Sequence, residues 1–114
     1  MKGGFTPEKS ISDRRGTLQI TEKYHSVEMK PVKSLPIYQF KLYPCTELNS
    51  PGVHIRPDSD ILDYLSPGVK VDMKYYPKDS KSQISFFKTK IIDIIRVLHG
   101  PFKGHVMVGL AIAE

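Results

Sequence analysis

Ser82–Gly100, SQISFFKTKIIDIIRVLHG, is the stretch whose reading decides the fold. Ile91, Ile94, Ile95 and Leu98 satisfy a helical i, i+3, i+4, i+7 template, so periodicity alone leaves helix and strand both open. Composition and punctuation break the tie. Isoleucine, valine and phenylalanine dominate, no helix cap precedes, and turn residues bound both ends, KDSKS (78–82) before and HGPFKG (99–104) after. The stretch therefore reads as a strand. Its doubled pairs Ile91-Ile92 and Ile94-Ile95 then mark a bulge or bend where the strand changes the face it buries.

Working outward, the neighbours are short and alternating. VKVDMKYYP (69–77) turns Val69, Val71, Met73 and Tyr75 inward and Lys70, Asp72, Lys74 and Tyr76 outward, and KDSKS joins it to the next strand as a hairpin loop. HVMVGLAIAE (105–114) puts Val106, Val108, Leu110 and Ile112 on one face; Gly109, Ala111 and Ala113 on the other are small enough for another backbone to approach closely. Upstream, YHSVEMK (24–30) gives a modest strand. PIYQFKLY (36–43) buries Tyr38, Phe40 and Leu42, and GVHIR (52–56) is a brief strand after a polar turn. In PDSDILDYLSPG (57–68), Asp and Ser precede Ile61, Leu62 and Leu65, which predicts one helical turn as a connector. The first residues, MKGGFTPEKSISDRRGTLQI, carry glycine, proline, serine and charge without periodic apolar signal. The expected organisation is a flexible arm over 1–21 and one domain over 22–114, an all-β antiparallel barrel of five to seven short strands.

With 114 residues the chain has room for a single core. Its 39% apolar and 25% charged content is that of a globular protein, no apolar run approaches the roughly 20 residues of a membrane helix, and the start lacks a secretory h-region. The expectation is a cytoplasmic protein without membrane insertion. The single cysteine, Cys45, has no partner for an internal disulfide and reads as a buried or idle thiol. A net charge of +5 favours an anionic partner, but the lysines are spread along the chain in no single block, which disfavours long nucleic acid.

Signals for catalysis are weak. His25, His54, His99 and His105 lack metal-ligand spacing, no nucleophile elbow, phosphate loop or dinucleotide fingerprint occurs, and Asp58, Asp60 and Asp63 read as helix-capping acids. The expectation is no enzyme and no cofactor. The pairs Tyr75-Tyr76 and Phe86-Phe87 must send one ring to each face of a strand, so an outer ring near Lys74, Lys88 and Lys90 has the ingredients of a base-stacking platform.

LSPGVKVDMKYYP resembles the strand of PilZ domains that opens with a Leu-x-Pro-Gly turn. KTKIIDIIRVLHGPFKGHVMVGLAIA resembles the hairpin ending those domains, and IYQFKLYPCTELNSPGVHI falls where they place their first barrel strand and an Asp/Asn-x-Ser-x-x-Gly turn. The resemblance covers residues 35–113. It implies a small six-stranded antiparallel β-barrel that binds the bacterial second messenger cyclic di-GMP through that turn and through an Arg-x-x-x-Arg arm. Mapped residue by residue, Arg14 and Arg15 match the arm, with Leu18 and Gln19 where a second arginine would stand. Ser50 and Gly52 match the turn with one residue fewer between them, Leu48 stands two before the serine, and Asn49 directly precedes it. The implied ligand contacts are Arg14, Arg15, Asn49, Ser50 and Gly52. Loss of one charged bidentate contact costs about 2 kcal/mol or more. Three functions follow: a regulatory module that binds cyclic di-GMP and relays the signal to a protein partner; an adaptor of the same fold that binds protein only; and a small barrel that binds single-stranded nucleic acid through Tyr76 or Phe86.

Overall fold

A computed structural model describes residues 20–113. Arg14 and Arg15, and with them most of the expected arm, lie outside the described residues. At the arm's expected end, Ile20–Lys23 forms a single helical turn, α1, with Ile20 buried in the core. An apolar side chain there had no periodic neighbours in sequence to reveal its burial.

Seven strands follow: β1 (Tyr24–Met29), β2 (Tyr38–Lys41), β3 (Tyr43–Cys45), β4 (Ser50–Ile55), β5 (Lys70–Pro77), β6 (Ser85–Arg96) and β7 (Val106–Ile112). They make one sheet in the order β2-β1-β5-β6-β7-β4-β3, every neighbouring pair antiparallel. The two edge strands, β2 and β3, are consecutive in the chain and separated by Leu42 alone. Leu42 is buried, and its amide donates to the His25 carbonyl at 2.9 Å. The sheet therefore curls into a half-barrel whose two edge strands, four and three residues long, are joined at this residue. Counted as one bent strand, residues 38–45 bring the total to the expected six; the break at Leu42 makes it seven.

β6 is a strand of 12 residues. Its register against β7 slips by one residue between Ile91 and Asp93, so Ile92 is the bulge that the doubled isoleucines announced. Before it Thr89 and Ile91 face inward; after it Ile94, opposite Val108, joins the core. The core also takes Val27, Met29, Val53, Ile55, Val71, Met73, Tyr75, Val108 and Leu110, nearly all at less than a few per cent exposure. Tyr75 and Thr89 share a buried hydrogen bond of 2.8 Å, and the Thr89 hydroxyl also lies 3.2 Å from the Phe87 carbonyl it donates to, so neither polar atom is left unpaired.

The Leu-Ser-Pro-Gly segment makes a tight turn before β5. Val69 N–H donates to the Ser66 carbonyl at 3.0 Å, and Gly68 has φ +94°. Proline then glycine at the two central positions is the combination a type II turn requires. The predicted connector is a 3₁₀ helix over Asp60–Tyr64 that buries Ile61. Ser59 holds the N-cap position but makes no side-chain cap bond, and Asp58 lies 3.5 Å from Arg56 instead of capping. No helix among the described residues is long and apolar enough to cross a membrane.

Candidate functional site

Thr46–Asn49 is the four-residue loop of the β3–β4 hairpin, closed by the Cys45–Ser50 pair. Leu48 N–H donates to the Cys45 carbonyl and Asn49 N–H to that of Thr46, two successive turns that end with Asn49 at φ +52°. Asparagine tolerates this left-handed corner better than most residues. Of the three turn residues expected to contact a ligand, only Asn49 is exposed. Ser50 is 1% exposed, and its Oγ has no hydrogen-bond partner among the described residues. Gly52 is buried on the outer side of the sheet: a Cβ there would lie 2.8 Å from Met107 Sδ and 3.0 Å from the Val108 carbonyl oxygen.

The cover over Ser50 is Leu48. A Cβ at Gly109 would lie 2.6 Å from Leu48 Cδ1 and 3.1 Å from Ser50 Oγ, so the loop folds down into the space that Gly109 leaves empty. The sequence predicted a close approach at Gly109 by backbone; what approaches is the Leu48 side chain. Beside it Cys45 is buried, and burial pushes its thiol pKa up.

Next along the outer face of β4 stands an aromatic group that sequence reasoning missed. His54 stacks on Phe102 at 4.0 Å, and Tyr43 meets it edge-on at 4.8 Å. Its Nδ1 is buried without a hydrogen-bond partner. Burial, aided by the nearby charge of His105, lowers the His54 pKa. A depression of about 270 Å³ adjoins it, lined by Glu47, His54, Arg96, Leu98 and Met107 among others. The only sequence signal was that His54 alternates with Val53 and Ile55, which places it outward on a buried strand. Among the described residues no group of three or more His, Cys, Asp or Glu side chains is placed to hold a metal ion.

The far side of the curl differs. The outward residues of β5, and of β6 before its bulge, are Lys70, Asp72, Lys74, Tyr76, Phe86, Lys88 and Lys90. Tyr75 and Phe87 point inward, and the outer ring of Phe86 is 71% exposed, as the alternation required. Lys74 Nζ lies 5.8 Å from the Phe86 ring, 5.6 Å from that of Tyr76 and 3.6 Å from the Glu28 carboxylate. Tyr76 donates its hydroxyl to Glu28 as well, at 3.1 Å.

No family model, curated protein or solved structure matches the chain.

Proposed function

We propose that this chain is a PilZ-like regulatory module of the bacterial cytoplasm that binds cyclic di-GMP at the 46–52 loop and relays the signal to a protein partner without catalysing a reaction. The observation that carries the reading is the Ser50 hydroxyl, buried and unpartnered beside the exposed Asn49. Leaving a hydroxyl in that state costs about 1–3 kcal/mol. A phosphate or guanine acceptor would recover it through a hydrogen bond, with Asn49 at hand and Arg14 and Arg15 supplying charge, while Gly52, paired on both sides within the sheet, shapes the turn instead of contacting the ligand. Leu48 has to swing away first. Binding is thereby coupled to a movement of the loop, and that movement is the signal a partner reads.

Calorimetric titration of the full chain with cyclic di-GMP tests this. Micromolar binding is expected, weakened roughly tenfold or more by Ser50→Ala and further by Arg14→Ala with Arg15→Ala. Absence of binding in both calorimetry and equilibrium dialysis would refute it. A second reading, the adaptor that binds protein only, is favoured by the same Leu48 cover and by Met107 occupying the space above Gly52. Its mark would be a partner whose affinity ignores the nucleotide.

A further inference from the structure

Lys70 and Lys90 are direct cross-strand partners on the outward face of β5 and β6. Like charges directly opposite one another destabilise a sheet, and the neighbour of Lys90 on β7 is Ala111, which offers no acid. Before the bulge the two acids on this side are already engaged, Glu28 with Lys74 at 3.6 Å and Asp72 with Lys88 at 3.2 Å, and Asp93 beyond it accepts from the Ile94 N–H at 2.8 Å. Lys70 and Lys90 make no ion pair among the described residues and are both exposed. In the same row stands Phe86, at 71% the most exposed large apolar side chain among the described residues. Phe86, Lys88 and Lys90 are spaced i, i+2, i+4 on β6, so one ring and two ammonium groups line up at intervals of about 7 Å.

We propose that this face docks single-stranded nucleic acid, with a base stacked on Phe86 and the phosphates over Lys70 and Lys90 and over Lys88, which exchanges its exposed pair with Asp72 for a phosphate. An exposed aromatic ring set in a basic surface is what sequence-tolerant single-strand binding requires, because every base has a π-face. A duplex hides its bases and has no use for the ring. An acidic peptide would use the lysines. The depression of about 270 Å³ beside Phe86 is lined by Glu28 and Asp72, by Lys30 and Lys74, and by the apolar Met29, Ile37 and Met73. Its charges balance, so it adds nothing for a run of acids, whereas Phe86 offers a base a stacking surface and the carboxylates accept hydrogen bonds from a base's N–H groups.

The test is fluorescence anisotropy of the full chain with labelled oligouridylate and oligothymidylate. Three phosphate contacts give a slope of log K against log salt of about −2, and Lys90→Gln reduces it by about 0.7. Phe86→Ala weakens binding about tenfold and leaves the slope unchanged, while Ser50→Ala changes neither; circular dichroism checks that each variant is folded. No binding at low salt overturns the proposal. So does binding that Phe86→Ala leaves intact and that polyglutamate competes away equally well, the behaviour of a general polyanion surface. Binding lost in Arg14→Ala with Arg15→Ala yet intact in Lys90→Gln overturns it too.

Discussion

The two outer sides of this one sheet are built on opposite plans. Over β4 and β7, glycine at 52 and 109 lets Met107 and Leu48 settle onto the strands, and Cys45 and Ser50 end up as buried as the core proper. Over β5 and β6, lysines alternate with acids and aromatics, and Lys70, Phe86, Lys88 and Lys90 stand in solvent. The difference teaches that the face a strand turns outward is not necessarily a wet face. Side-chain size on the strand decides whether a neighbouring loop can close over it.

The largest effect should come from filling the closed side. Gly52→Val drives a side chain into Met107 and the Val108 carbonyl, so a loss of about 2–4 kcal/mol is expected in urea unfolding. Lys70→Val on the open side, which also removes the Lys70–Lys90 opposition, should stay within about 0.5 kcal/mol of the parent. Equal losses would break the comparison.

Next, Leu48→Ala uncovers Ser50. Leu48 is half-buried, so a cost of about 1–2 kcal/mol is expected, below that of a full core truncation. Cys45 should react faster with a thiol reagent, and cyclic di-GMP should bind more tightly because the cover no longer has to move. Tighter labelling protection, or weaker nucleotide binding, would count against Leu48 as the cover.

A pH titration sharpens the contrast. The folded state holds the His54 pKa below its ordinary 6.5. The neutral imidazole's contribution is therefore present above pH 6.5 and lost as pH falls through the depressed value. Denaturant midpoints should fall on acidification below pH 6.5, and His54→Gln should flatten that fall. The smallest effect belongs to the open side: Glu28→Gln breaks the half-exposed Lys74 pair and should shift stability by no more than about 0.5 kcal/mol.

Much of the sheet was legible because alternation is a local property. Val71, Met73 and Tyr75 had to share a face, Tyr75 and Tyr76 had to part, and the doubled isoleucines of β6 had to produce a slip, which falls at Ile92. The split at Leu42 was not legible, since PIYQFKLY alternates without interruption and only the meeting of two sheet edges bends it. The fate of Ser50 was hidden for a similar reason. Whether a serine in a hairpin loop is open or covered depends here on Gly109, about 60 residues away in the chain, and on which side chain the loop lays over it. Phe102, which stacks on His54, sits in a glycine-bounded turn that gave no sign of it.

Amide NMR of the full chain, titrated separately with cyclic di-GMP and with a single-stranded oligonucleotide, bears most directly on the claim that the two sides receive different ligands. The account predicts that the dinucleotide shifts the amides of Leu48, Asn49, Ser50 and Gly52 and leaves those of Phe86–Lys90 in place, and that the oligonucleotide does the reverse. One common set of shifted amides for both ligands, or no shift at the 46–52 loop with saturating dinucleotide, would contradict it.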